Sequence, residues 1–145
     1  MVEILIVIAV LGIILSVVIP QFSQSRENQV LKNAVSDILA NLNKARSQTL
    51  ASIDSFSYGV RLESDRVIIF KGTVFSVNDP NNEVTEIITP ITISNVTLGG
   101  TSGSSGDLYF NRLSGIPSKT GIIDVSSSSF SKVITISATG TASVN

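Results

Sequence analysis

The chain of 145 residues contains no cysteine and no histidine. Without cysteine there are no disulfides, thiolate metal sites or thiol nucleophiles, and without histidine the commonest general base and zinc ligand are gone. Cysteine absence leaves the redox compartment open. Charge is also scarce: 14% of residues are charged, and 10 Lys+Arg against 11 Asp+Glu give a net charge of −1. That balance provides no bulk attraction for nucleic acid or anionic lipid. A chain of this length has room for one domain with a modest core, so a two-domain enzyme is not expected. Mean hydropathy is nevertheless +0.39, high for a soluble domain, which makes the placement of the apolar residues the main question.

They concentrate at the start. Residues 4–19 read ILIVIAVLGIILSVVI, interrupted only by Gly12 and Ser16. As a helix, residues 1–22 would measure about 33 Å, enough to span a bilayer. A cleaved secretory signal fits poorly, because there is no basic n-region and no small-x-small site follows. A plain anchor fits poorly too, since the nearest cations, Arg26 and Lys32, lie C-terminal to the run and would hold the downstream domain in the cytoplasm. Glu3 is an acid in an otherwise apolar N-terminus, which suggests a partner; solvation in a headgroup layer is the simpler alternative. Pro20 cannot donate a backbone hydrogen bond, so a helix passing through it kinks there, unless it ends there.

After Pro20 the apolar residues thin to a stripe: Leu31, Val35, Ile38, Leu42, Ala45 and Thr49, widened by Val30, Ala34, Leu39 and Leu50. Steps of three and four predict an amphipathic helix over 23–53 that continues the apolar segment, with Leu31, Val35, Ile38 and Leu42 packing on a sheet. From residue 54 the period changes to two. Residues 57–62 and RVIIFK (66–71) are expected to pair as a hairpin, and further strands are expected at 86–88, 91–98, 108–111, 121–125, 132–137 and 142–144. NDPNN (78–82), GGTSGSSG (99–106), the Gly115/Pro117 loop and the serine run 126–129 separate them as turns. Pro90 marks a break or an edge strand.

The segment MVEILIVIAVLGIILSVVIPQF, with its near-terminal Glu3, mid-span Gly12 and Pro20 before the polar half, resembles the N-terminal segment of type IV pilins and type II secretion pseudopilins. A weaker resemblance extends over NKARSQTLA (43–51), YGV (58–60), 67–70, LYFN (108–111) with Gly115, and 133–137 with Gly140. These are similar to GspH/FimT-like minor pseudopilins and minor pilins. The resemblance implies an α+β, pilin-like fold: one long N-terminal helix, apolar then amphipathic, packed on a C-terminal antiparallel β domain. Its divisions would be a transmembrane or filament-core helix over 1–24, an amphipathic half over 25–53 and a β domain over 54–145. It further implies that Glu3 pairs with the α-amine of an adjacent subunit during assembly, and that Gly12 and Pro20 serve core packing and the helix kink. The implied partners are other pilin or pseudopilin subunits, the inner-membrane assembly platform and, where a leader lies upstream, a prepilin peptidase. N-terminal methylation belongs to the same expectation. The location would be the inner membrane before assembly, with the β domain periplasmic or extracellular, and afterwards a filament.

The sequence also departs from the family. Two fewer residues precede the Glu than in mature family members, so Met1 reads as a mis-assigned or trimmed start. DNA-binding relatives are expected to carry basic residues near the C-terminus, whereas residues 133–145 contain no Lys or Arg, so nucleic acid is not an expected partner.

Other motifs are weak. Ser129–Lys132 fits S-x-x-K and Lys119–Gly121 fits K-T-G, but their order is reversed from that in penicillin-recognising serine enzymes and no S-D-N lies between them. NDPNNE (78–83) offers oxygens for calcium without the loop spacing of a calcium site and reads as a turn. The loop 99–106 lacks the lysine and following helix of a phosphate loop. Asp37, Lys44 and Arg46 are assigned to the solvated helix face, with salt bridges between subunits as the alternative. The expectation is therefore a filament subunit with no catalytic residues, cofactor or metal; the alternative is a membrane-anchored extracytoplasmic β-domain binding module that does not polymerise.

Overall fold

A computed structural model describes residues 2–145, and the side chains of all of these except residues 17–23. Helix α1 runs Val2–Leu50 and is followed by a 3₁₀ turn at Ile53–Ser55. Among the described residues nine strands follow: β1 (Tyr58–Leu62), β2 (Arg66–Lys71), β3 (Glu83–Glu86), β4 (Thr92–Leu98), β5 (Thr101–Gly103), β6 (Gly106–Tyr109), β7 (Gly121–Ser126), β8 (Ser131–Ile136) and β9 (Ala142–Val144). They form two antiparallel sheets, one ordered β3-β2-β1-β6 and the other β5-β4-β7-β8-β9.

The second part of α1 is helical because its buried side chains recur at helical spacing. Leu31, Ala34, Val35, Ile38, Leu42 and Ala45 join Val60, Leu62, Val67 and Ile69 of the first sheet and Ile93, Val96, Ile123, Val125, Ile134 and Ile136 of the second in one core. Thr49 is fully buried at the end of this stripe, and its polar atom is satisfied. Its hydroxyl donates to the Ala45 carbonyl at 2.9 Å and accepts the Tyr58 N–H at 2.9 Å, tying the last helical turn to the first strand.

Alternation places the strand residues. In β2, Val67 and Ile69 enter the main core, while Ile68 and Phe70 are buried on the opposite face. There Phe70 meets Phe75 edge-on at 5.6 Å between centroids, and the Arg61 guanidinium lies 5.5 Å from the Phe75 centroid. A Cβ at Gly59 would lie 2.2 Å from Phe70 Cζ, so the absence of a side chain there is what lets Phe70 lie across β1. In β4 the register against β7 shifts between Ile93 and Asn95, a bulge that turns both Ile93 and the Val96/Leu98 pair inward.

The pilin-like α+β expectation does not stand as stated. Among the described residues no helix is long and apolar enough to cross a membrane. The β region consists of two antiparallel sheets that share one core with α1, because strands of both bury one face toward the helix.

Three element boundaries also differ from expectation. The helix stops at Leu50 instead of residue 53, where Ser52, Asp54 and Ser55 adopt positive φ and cannot continue it. The strand expected at 86–88 lies at Glu83–Glu86, where pairing with β2 outweighs a nearly absent apolar alternation. Part of GGTSGSSG, expected to be all turn, forms the exposed strand β5 against β4.

Candidate functional site

The packed half of α1 is tied to the β region near both of its ends. At the near end, the Glu27 carboxylate accepts from the Ser128 hydroxyl at 2.8 Å and from the Ser129 N–H at 3.1 Å, joining the helix to the β7–β8 turn. The polar groups of this turn, first Ser127 and then Ser128, hold the Glu27 carboxyl below the usual glutamate range. At the far end, Arg46 Nε donates to the Gly115 carbonyl at 3.2 Å and Arg46 Nη2 to the Thr139 carbonyl at 3.1 Å. A Cβ at Gly140 would lie 2.3 Å from the Gly115 oxygen and 2.9 Å from Arg46 Nε, so the two loops can meet the guanidinium only with glycine there.

Beyond this support, every described residue from 2 to 16 is exposed. Eleven large apolar side chains, from Val2 to Leu15, are each at least half exposed. The helix itself is satisfied, and Ser16 returns its hydroxyl to the Ile13 carbonyl at 2.8 Å. A Cβ at Gly12 would meet nothing within 4 Å, so packing inside this chain does not require glycine at that position. Glu3 lies in the same exposed stretch and forms no ion pair among the described residues. Pro20, expected at the kink, lies outside the described side chains.

The expected site residues thus divide into two groups. Leu31, Val35, Ile38 and Leu42 lie in the core, and Glu3 and Gly12 lie on the exposed apolar stretch, with no contact between the groups. Lys44 lies on the solvated helix face, where it pairs with Glu83, whereas Arg46 departs from that assignment and clamps two loops. The anchoring roles of Glu27 and Thr49 do not emerge from the sequence pattern. Thr49 does carry a signal, as a polar residue on an otherwise apolar stripe.

The remaining motifs have structural roles. Asp79 accepts the Asn81 N–H at 2.9 Å, closing an Asx turn, and this holds its carboxyl below the usual aspartate range. No group of three His, Cys, Asp or Glu suited to a metal occurs among the described residues. A Cβ at Gly121 would lie 1.8 Å from the Thr97 carbonyl, so the glycine of K-T-G serves the close approach of β7 to β4. In the open cleft of about 350 Å³ beside β5 and β6, the cations are engaged: Arg61 with Ser105 and Asp107, and Lys119 with Asp107. Comparison with protein-family models, curated proteins and solved structures finds no match.

Proposed function

We propose that this chain is a structural subunit of a type IV pilus-like filament, either a GspH-like type II secretion pseudopilin or a type IV pilin, minor or major. The observation that carries this reading is the run of eleven exposed large apolar side chains on a helix whose other half is packed. Covering them would contribute on the order of 10 kcal/mol or more, and a patch of that extent exceeds what a soluble monomer leaves bare. The apolar face goes all round the helix, so several neighbours are needed to cover it, as in a bundle of copies.

The chain's chemistry lies in assembly and not in catalysis. Before assembly it is held at the inner membrane with its β region outside the cytoplasm, and it is delivered to the filament by an assembly platform after any leader is cut by a prepilin peptidase. Glu3 registers the incoming copy by pairing with the α-amine of a neighbour. No Lys or Arg lies between Glu3 and Arg26, so a neighbour's terminal amine is a fitting counter-charge at that depth.

Glu3→Ala, expressed behind a cleavable leader, should be processed and inserted yet be nearly absent from sheared filament fractions. Incorporation equal to wild type would remove the registering role. A protein that inserts, folds and never sediments as filaments would instead be an anchored binding module.

A further inference from the structure

Two surface features at opposite ends of the packed half of α1 are complementary in shape and charge. The first is a groove beside α1, where Val30, Ala34, Ile87 and Ile88 line a small cavity of about 110 Å³. Its rim carries the carboxylates of Asp37 and Glu86, neither of which forms an ion pair among the described residues. Ile88 is 72% exposed at its mouth. A cavity of this size is smaller than the ~150 Å³ that admits a benzene ring and suits one aliphatic side chain.

The second feature is the loop following β6. Leu113 is 83% exposed and sits at φ 67°, a left-handed conformation that disfavours leucine. The loop is nonetheless firmly held. Asn111 N–H donates to the Ile116 carbonyl at 2.8 Å, Gly115 N–H donates to the Asn111 carbonyl at 2.9 Å, and Arg46 holds Gly115 from below. Arg112 beside it is exposed and forms no ion pair among the described residues. A strained backbone fixed by its surroundings to present an apolar side chain to solvent is a feature to be explained by contact.

We propose that Leu113 of one copy enters the groove of a second copy of this chain, with Arg112 facing Asp37 and Glu86. The proposal rests on the filament reading and specifies one contact between the folded regions of neighbouring subunits. The second copy is the occupant because the chain itself supplies both halves. Among the described residues these are a cation without an ion pair next to the exposed leucine, and two carboxylates without one around a cavity that suits an aliphatic side chain. Groove and loop are separated by roughly 20 Å along α1, measured from residue 34 to residues 46–50. A copy cannot fill its own groove, and in a helical filament the contact runs head-to-tail, leaving one free groove and one free loop at the ends, whereas a reciprocal two-fold pair would stop at a dimer. Each contact is small, and its strength in a filament comes from repetition.

The absence of native cysteine makes the test direct. The full chain carrying both Ile88→Cys and Ser114→Cys, which keeps Leu113, is oxidised in cell membranes and in sheared filaments and run under non-reducing conditions. Both positions are exposed, so the substitutions leave the core untouched. An internal disulfide is excluded, because the positions are much farther apart than the ~7 Å limit between Cα atoms. The expected result is a ladder of multimers, absent from either single-cysteine variant. Adding Arg112→Glu should lower the yield about fivefold, and adding Glu86→Arg should restore it. Filaments that sediment normally without a ladder overturn the contact and leave the filament reading intact. Cross-linking of the thiol at position 88 to a different protein also overturns it. A ladder without sedimentable filaments supports the contact and removes the filament reading instead.

Discussion

Helix α1 carries two halves that are both rich in aliphatic residues and have opposite fates. In the half from Leu31 to Thr49 the apolar residues fall on one stripe, and the chain's own sheets cover them. In the half from Val2 to Ser16 they occupy all sides, and nothing among the described residues covers them. Apolar content alone therefore does not make a core. A sheet pair offers one flat partner, which matches a stripe, whereas a cylinder that is apolar all round needs partners on every side. The first half makes no contact with the core and adds little to the stability of the fold, whereas the second is part of that core.

This contrast can be broken most forcefully from the packed side. Ile38→Ala and Leu42→Ala each remove a fully buried side chain and should destabilise the folded region by about 2–5 kcal/mol. The equivalent truncations Ile6→Ala and Ile8→Ala should leave its melting unchanged. Thermal unfolding of the full chain in detergent compares the two sets directly, and equal losses in both would mean that the halves are not distinct.

A smaller effect is expected behind the first sheet. Gly59→Ala forces a methyl group against Phe70 and the Leu108 carbonyl, and should cost about 1–3 kcal/mol in chemical denaturation. The same substitution at Gly12, with nothing nearby, should leave stability intact and act only on assembly. Arg46→Met, which removes two charged hydrogen bonds to backbone carbonyls, should cost about 1.5 kcal/mol. It should also loosen the 111–116 loop, raising its amide exchange more than that of β8.

The least of these effects is the pH dependence at Glu27. Its carboxyl is held below the unfolded value by the serine turn, so its contribution is present above the ordinary glutamate range and is lost as pH falls through the lowered folded value. Glu27→Gln should therefore flatten the acid limb of the stability curve slightly and leave the neutral region shallowly lower. An unchanged acid limb would mean that the Ser128 and Ser129 contacts do not bind the ionised form preferentially.

Much of this architecture is legible from local pattern. An apolar run that gives way to a stripe separates the halves of α1 at sequence level, and alternation in residues 57–62 followed by the apolar run RVIIFK (66–71) locates the β1–β2 hairpin. The bulge in β4 is not legible, because Ile93 and Val96 fall on opposite faces of a regular strand and only the register shift reconciles them. β3 and β5 have largely exposed side chains and thus no apolar alternation to read; backbone pairing to β2 and β4 defines them. Arg46 looks like any cation on a polar helix face, since its partners are carbonyl oxygens 69 and 93 residues away. On the candidate site, Glu3 and Gly12 stand out as breaks in an apolar run, whereas the pairing of the Arg112–Leu113 loop with an acidic groove depends on tertiary placement that no local pattern carries.

The central claim is that other copies of this chain cover residues 2–16. Its most direct test is the reactivity of thiols placed in that segment, measured in sheared filaments and in the same chain dispersed in detergent. The account predicts sedimentable filaments in which single substitutions Val7→Cys and Leu11→Cys resist a water-soluble thiol reagent, while Leu113→Cys in the chain dispersed in detergent reacts fully. A full-length chain that remains monomeric without detergent, with thiols at positions 7 and 11 reacting as fast as the thiol at position 113, would contradict it.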